Sequence, residues 1–201
     1  MAVEHPMSRI AGGAVVTGTP GRIPVGAPAD GDGIALGAGA VGVDVYVDFL
    51  CPACKRFEEL AAARLRRLVQ DGAIHLVYHP LALLDTRSTT SYSSRASAAS
   101  GCASDAGAFP EYKDALFANQ PPQGGPGLSD HALIQLGHMV GITSPTFDEC
   151  VAGGTYLQWA AYVTERAVRR GVTDTPRVYV AGVRVAANPI TIAAAVADLA
   201  P

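Results

Sequence analysis

The chain has 201 residues, of which 49% are hydrophobic and 16% charged, and its formal net charge is −3 at pH 7. This composition excludes a disordered chain and predicts one or two compact units with a sizeable buried core. A net negative charge offers no basic field to phosphate groups, so nucleic acid is not an expected partner. No membrane span is predicted, because the longest apolar stretch, residues 34–50, is glycine-rich and contains Asp44 and Asp48.

The first 40 residues are rich in glycine, proline and other small residues. They predict a loosely packed N-terminal extension with one candidate hairpin, in which residues 15–17 and 22–25 flank a Gly-Thr-Pro-Gly turn. The first ten residues lack the apolar core of a signal peptide. We therefore expect either a cytosolic protein or an exported one whose targeting segment is absent from this sequence.

A strand, a helix and a second strand follow in close succession. From Val41 to Leu50, large apolar residues alternate with smaller or polar ones, which predicts a β-strand. Pro52 then favours a helix start, and Gly72 ends an apolar stripe at helical spacing. That predicted stripe consists of Phe57, Leu60, Ala61, Leu65 and Leu68. Residues 74–78 predict the second strand, and such a crossover normally makes the two strands parallel.

The last quarter of the chain has a different pattern. Residues 177–180 and 183–186 are β-rich runs separated by Ala-Gly, which favours an antiparallel hairpin. Asn188 is then a suitable cap for a final alanine-rich helix that reaches Leu199. The end of the chain therefore predicts a strand-strand-helix unit.

The middle of the chain is predicted to be largely helical, since several capping residues there precede apolar residues at three- and four-residue spacing. The sequence thus predicts an α/β domain formed by residues 41–84 and 171–201, with a helical insertion over residues 85–170. Arg166, together with Arg169 and Arg170, is expected to form a solvated face near a helix end.

The first predicted strand runs directly into Cys51-Pro52-Ala53-Cys54. Cys51 then lies at the amino end of the helix, where unpaired N–H groups and the helix dipole stabilise a thiolate and lower its pKa. Cys54 is the expected resolving thiol. A stabilised thiolate makes the reduced form of the pair favourable, so the oxidised form tends to pass its disulfide to substrates. The alternatives are half of a zinc site, a structural disulfide or chance, but a CxxC beside a strand-helix-strand pattern favours redox chemistry.

The stretch from Val45 to Cys54, followed far downstream by Thr175-Pro176 before a strand, resembles the DsbA-like thiol:disulfide oxidoreductases, particularly actinobacterial ones. The resemblance spans residues 41–200 and implies a thioredoxin fold with an inserted helical domain. It also implies that Pro176 follows a cis peptide bond beside the cysteine pair. Thr175 is then expected to offer backbone groups to a bound substrate strand.

Two departures from this family bear on the chemistry. The family commonly has histidine between the two cysteines, whereas this chain has Pro52 and Ala53, which implies a weaker oxidant. Many relatives carry a buried acid six residues before the first cysteine, where this chain has Val45. Asp48 is the nearest carboxylate in sequence. We expect it to be a solvated residue that caps a turn, with tuning of the thiols as the alternative.

Cys102 and Cys150 fall on separate predicted helices of the insertion. We expect a structural disulfide between them, which agrees with an oxidising compartment and with the extra bridge that the resemblance implies for some family members. The alternative is two reduced cysteines in the core. His131 and His138 lie seven residues apart, too far for joint ligation of one ion, so no metal site is expected.

The sequence as a whole predicts an enzyme that introduces disulfides into reduced, unfolded exported proteins through Cys51 and Cys54. As the resemblance implies, a membrane-bound quinone-linked thiol oxidase restores the pair, and the protein lies outside the cytoplasm. The two sulfur atoms carry the reaction, so no cofactor is expected. The alternatives are a disulfide reductase or isomerase, a non-catalytic binding module stapled by its cysteines, and a zinc-binding module.

Overall fold

The computed structural model describes residues 20–199. The strands in this range are β1 (Ile34–Leu36), β2 (Val41–Asp48), β3 (Ile74–Leu81), β4 (Arg177–Val180) and β5 (Val183–Val185). The helices are α1 (Pro52–Gln70), α2 (Tyr92–Asp105), α3 (Phe109–Ala118), α4 (Asp130–Met139), α5 (Pro145–Ala152), α6 (Leu157–Arg169) and α7 (Pro189–Ala197), and a short 3-10 helix covers Asp85–Arg87. None of the helices within residues 20–199 has the length and hydropathy that a membrane span requires.

The five strands form one sheet in the order β1-β3-β2-β4-β5. β2 and β3 are parallel and joined through α1, as the crossover pattern predicts. β4 lies antiparallel to β2 on its other side, and β5 pairs antiparallel with β4 through the predicted hairpin. The predicted α/β class is therefore confirmed, and β2 lies at the centre of the sheet.

The central position of β2 follows from its side chains. Val43, Val45 and Val47 are buried, so this strand is covered on its valine face, and Phe49 and Leu50 continue the burial beyond its end. Helix α1 covers the sheet with a stripe that consists of Cys54, Phe57, Glu58, Ala61, Leu65 and Leu68. The prediction for Leu60 is wrong, because this side chain lies beside the stripe and is 70% exposed.

The N-terminal extension differs from its prediction. Residues 15–17 of the predicted hairpin lie outside the described residues, and residues 22–25 are not a strand. Instead, β1 pairs antiparallel with β3 and forms one edge of the sheet. Its three residues are too few to show a period, and the surrounding glycines gave this stretch the composition of a loop.

A buried charge cluster fixes the segment before β1. Asp32 is 1% exposed and His79, on β3, is 2% exposed. The two His79 ring nitrogens lie 3.4 Å from Asp32 Oδ1 and 2.9 Å from Asp44 Oδ1. Arg166 and Arg170 of the α6 end both donate to Asp32 Oδ2. The prediction of a loosely packed lead-in is therefore wrong around Asp32, since a buried carboxylate needs these cations. The predicted solvated face is wrong for Arg166 and Arg170, whereas the Arg169 side chain is 68% exposed.

This cluster predicts a pH-dependent stability. Burial alone lowers the pKa of His79, but its hydrogen bonds with Asp32 and Asp44 outweigh burial and raise the pKa above 6.5. A raised folded-state pKa gives stability that is complete below pH 6.5 and is lost as the pH rises through the folded value, at up to about 1.4 kcal/mol per pH unit. We expect His79→Phe, which keeps an aromatic ring against Tyr46, to remove this component.

The measurement is urea denaturation of the oxidised protein between pH 6 and pH 9, because Cys51 does not titrate in that form. His131→Phe is the matched control, since His131 is exposed on α4. Equal pH slopes for the wild type and His79→Phe contradict the prediction.

Candidate active site

The turn between β2 and α1 places Cys51 at the amino end of the helix. Cys51 is the N-cap residue, with extended backbone angles of φ −83° and ψ 114°, and its N–H donates to Asp48 O at 3.0 Å. Pro52 occupies the first helical position, where its missing N–H costs no hydrogen bond. No side chain caps this helix end, so the next backbone N–H groups remain available to the Cys51 sulfur.

The structure brings together the four residues predicted for the site. Cys51 and Cys54 are free thiols, with Cys51 7% exposed and Cys54 fully buried. Cys51 Sγ lies 3.3 Å from Thr175 O, a contact across 124 positions of sequence. The peptide bond between Thr175 and Pro176 is cis. The loop before β4 therefore lies directly against the cysteine that begins α1.

The two thiols differ in acidity. A hydrogen bond from Cys54 is the main reason that the pKa of Cys51 is lowered from 9.0 to about 5. The Thr175 side chain and the backbone N–H groups of Cys54 and Ala53 contribute in the same direction, and together they outweigh burial. Burial raises the pKa of Cys54, and the neighbouring Cys51 thiolate raises it further. At neutral pH the pair is therefore one thiolate and one thiol.

This asymmetry predicts the pH dependence of alkylation in the reduced protein. We expect iodoacetamide to modify Cys51 with a midpoint near pH 5, because only the thiolate reacts. Cys54 stays unmodified, since it is buried and protonated. The measurement is the alkylation rate as a function of pH, with the modified peptide identified by mass spectrometry.

Cys54→Ala serves as the control for the cause of this shift. It removes the hydrogen bond that contributes most to the low pKa, so the alkylation midpoint of Cys51 should move upward. A wild-type midpoint near pH 9, the value of an ordinary thiol, contradicts the prediction.

Asp48 is buried, which corrects the prediction of a solvated residue. Its Oδ1 accepts the Leu50 N–H at 2.8 Å and the Ser93 hydroxyl at 2.7 Å, and its Oδ2 accepts the Leu84 N–H at 2.9 Å. The turn contact was expected, but the contacts with Ser93 of α2 and with Leu84, directly before the 3-10 helix, were not. Burial raises the pKa of Asp48 to about 6, although the three hydrogen bonds oppose this. Asp48 thus joins the turn before Cys51 to two other parts of the fold.

A second buried charge lies one helical turn beyond Cys54. Glu58 on α1 accepts a hydrogen bond from Lys113 of α3, and both side chains are about 5% exposed or less. The Tyr78 hydroxyl also donates to Glu58 Oε2, at 3.4 Å. The sequence analysis missed this ion pair because a glutamate on a helix is ordinarily solvated and its partner is 55 positions away.

Cys102 and Cys150 lie apart from this site. They form a disulfide that joins α2 to α5, with Cα atoms 5.9 Å apart. A second contact of α5 is with α4, where His138 Nε2 lies 2.9 Å from Asp148 Oδ1. In the part of the chain that the structure describes, no three His, Cys, Asp or Glu side chains converge as metal ligands would.

Comparison with known proteins decides the family. The family model described as Thioredoxin matches residues 31–197. The chain belongs to the DsbA-like thiol:disulfide oxidoreductases of the thioredoxin superfamily. A disulfide bond oxidoreductase, DsbG of Mycobacterium tuberculosis in its reduced form, is 30% identical, with 84% of this chain and 87% of that chain covered and a TM-score of 0.74. The predicted thioredoxin fold and family are thereby confirmed.

Two further solved structures are similar to this chain, and the first of them supports the DsbA-like assignment. The oxidised DsbA of Mycobacterium tuberculosis is 31% identical over 77% of this chain and 85% of that chain, with a TM-score of 0.68. MdbA of Actinomyces oris, a thiol-disulfide oxidoreductase, covers 83% of this chain and 88% of its own with the same TM-score. At 21% identity it shows the fold alone. The two Mycobacterium tuberculosis structures confirm the predicted class of activity, that of a thiol:disulfide oxidoreductase.

The curated relatives are of a different kind. The serine/threonine-protein kinase PknE of Mycobacterium tuberculosis is 30% identical over 136 residues, which are 63% of this chain and 24% of the kinase. The chain thus spans about a quarter of the length of the curated relatives that it matches.

Proposed function

We propose that this DsbA-like protein introduces disulfides into reduced, unfolded exported proteins, with Cys51 and Cys54 as its redox pair. The observation that carries the proposal is the position of Cys51 at the amino end of α1, where its thiolate is stabilised. The pKa of Cys51 is lowered there to about 5. A dithiol with such a thiolate is favourable in its reduced form, so the oxidised form gives its bridge away. The pair is therefore a disulfide donor.

The reaction is an exchange of sulfur bonds. A substrate thiolate attacks Cys51 Sγ, forms a mixed disulfide and breaks the bridge, so that Cys54 leaves and takes up a proton. A second substrate thiolate then attacks the substrate sulfur and expels the Cys51 thiolate. The substrate loses two electrons and the Cys51 and Cys54 pair gains them.

We further propose that the loop of Thr175 and Pro176 holds the substrate backbone. Thr175 O lies 3.3 Å from Cys51 Sγ, so a chain that reaches this sulfur also reaches the Thr175 backbone. Addition of an extended strand to exposed backbone groups is a general mode of peptide binding that depends little on side chains. This mode suits an enzyme that acts on many unfolded proteins.

The compartment and the recycling partner belong to the same proposal. The disulfide between Cys102 and Cys150 is supported by oxidising conditions, which exist outside the cytoplasm. A protein that gives its bridge away needs an oxidant, and we assign this role to a membrane-bound quinone-linked thiol oxidase.

The test is the equilibrium of Cys51 and Cys54 with glutathione, combined with oxidation of a reduced, unfolded test protein. A donor of disulfides should have a potential less negative than about −200 mV, whereas thioredoxin, a reductase, has about −270 mV. The test protein should regain its disulfides in proportion to the oxidised enzyme added. A potential near that of thioredoxin, with no oxidation of the test protein, overturns the proposal.

Reduction or isomerisation is the second candidate. It is favoured by one observation, the absence of histidine from Pro52-Ala53 between the cysteines. The same titration identifies a reductase, because its pair has a more negative potential and needs a more reducing glutathione buffer to become reduced. An isomerase rearranges a scrambled test protein instead of oxidising a reduced one.

A further inference from the structure

Two glutamine side chains hold the turn that carries Cys51. The Gln120 amide donates to Phe49 O at 2.9 Å and to Cys51 O at 3.0 Å. The Gln123 amide lies 3.4 Å from Leu50 O. Three consecutive carbonyl groups at the end of the central strand are thus bound by side chains that follow α3. No feature of the sequence marked these glutamines, because nothing in their spacing relates them to Cys51, about 70 positions away.

A reciprocal contact joins the same two segments. Lys55, directly after Cys54, donates from Nζ to Ala118 O at 3.3 Å, where α3 ends. Gln120 contacts the chain before α1, whereas Lys55 extends from the first turn of α1 to the end of α3. The end of α3 therefore holds the strand-to-helix turn from both sides.

Gln120 is the stronger of the two glutamine contacts. A carboxamide has two N–H groups, and Gln120 uses both, one on each side of Leu50. Gln123 makes one longer contact and is exposed. Cys51 O also accepts the Lys55 N–H at 3.2 Å, but Gln120 is the side chain that binds the carbonyl groups at positions 49 and 51 together.

This orientation matters for the sulfur of Cys51. The hydrogen bond from the Cys54 thiol stabilises the Cys51 thiolate most, and the N–H groups of Cys54 and Ala53 add to it; the direction of all of these groups is set by the turn that precedes them. The carbonyl oxygen of Cys51 carries partial negative charge within the same residue as the thiolate. A hydrogen bond from Gln120 offsets that charge, and the effect is large because the site is partly shielded from water.

We propose that Gln120 is a positioning residue of the redox pair, holding the turn at residues 49–51 in the geometry in which the amino end of α1 stabilises the Cys51 thiolate. The segment that follows α3 thereby tunes the oxidising strength of a pair carried by the start of α1. The inference rests on the proposed role of Cys51 and Cys54 as the redox pair.

The test compares Gln120→Glu with Gln120→Met. Glutamate has the same length but, when ionised, accepts hydrogen bonds only, and it adds negative charge beside two carbonyl groups. We expect the equilibrium constant for reduction of the pair by glutathione to fall at least about tenfold, or about 30 mV. Gln120→Met removes the donors without adding charge and should lower that constant about fivefold. In both variants the alkylation midpoint of Cys51 should move to higher pH.

Two control variants separate geometry from charge. Gln135→Glu adds the same charge at an exposed site on α4 and should behave as the wild type. Gln123→Glu adds the charge near the turn but replaces only the longer contact, so its effect should be smaller than that of Gln120→Glu. An equal effect of the two turn variants, together with a wild-type value for Gln120→Met, shows a charge effect alone and overturns the inference.

A purely structural role gives a different result. If both Gln120 variants lose stability but keep the wild-type alkylation midpoint and glutathione equilibrium, Gln120 is a tether only and the inference is wrong. If Gln120→Glu does not fold, Gln120→Met decides. These measurements use no protein substrate, so the inference can stand when the wild type fails to oxidise a test protein, and it can fail when the wild type succeeds.

Discussion

Cys51→Ser should remove all oxidation of a reduced, unfolded test protein above the rate without enzyme. Serine cannot form a disulfide, and its hydroxyl has no ionised form near neutral pH to replace the Cys51 thiolate. Cys54 cannot substitute as the attacked sulfur, because it is buried while Cys51 has exposed surface. The measurement is the regain of disulfides by the test protein, followed by mass spectrometry after quenching with acid.

The matched variant Cys54→Ser separates the two roles. It has no bridge to give away and therefore also fails to oxidise the test protein. It should nevertheless be alkylated at Cys51 and form a mixed disulfide with oxidised glutathione, whereas Cys51→Ser should do neither. Oxidation that persists in Cys51→Ser contradicts the assignment of the attacked sulfur.

Removing the second cysteine pair should lower the free energy of unfolding by about 4 kcal/mol. The disulfide between Cys102 and Cys150 closes a loop with a sequence separation of 48, and such a bridge restricts the unfolded chain. The double variant Cys102→Ala with Cys150→Ala is the suitable form, because a single replacement leaves a thiol that could exchange with Cys51. The measurement is urea denaturation of both proteins at one pH.

The redox properties of Cys51 and Cys54 in that double variant provide the control. Its Cys51 alkylation midpoint and its potential against glutathione should match those of the wild type, since the disulfide joins α2 to α5 and takes no part in the contacts of Cys51. A loss of less than about 1 kcal/mol, or a changed potential, contradicts the prediction.

Local patterns carried most of the fold prediction. Three of these patterns act over a few residues each: the alternating valines of β2, the proline at the start of α1 and the Ala181-Gly182 hairpin. The elements that these three patterns predict are all present near their expected places. β1 was missed because three residues among glycines have no period. Its pairing with β3 depends on backbone hydrogen bonds that any sequence can make.

The site was predictable where its chemistry is local. The spacing of Cys51 and Cys54 at a helix start indicated the acidity of the first thiol without any distant contact. The residues that surround the pair depend on long-range packing: Asp48 is held by Ser93, and the turn is held by Gln120. Polar residues of these types are solvated in most positions, so the sequence offered no reason to bury Asp48 or to place Gln120 beside Cys51.

The unequal burial of the two sulfur atoms also determines which of them an incoming thiolate can attack. An incoming nucleophile must approach in line with the S–S axis, and only Cys51 Sγ has surface at which such an approach can begin. In the proposed reaction Cys54 is therefore the departing group when the ring opens, and the burial that raises its pKa disfavours its departure as a thiolate. Cys51, by contrast, has a lowered pKa and is the better departing group when a second substrate thiolate attacks the mixed disulfide, which favours release of the oxidised product.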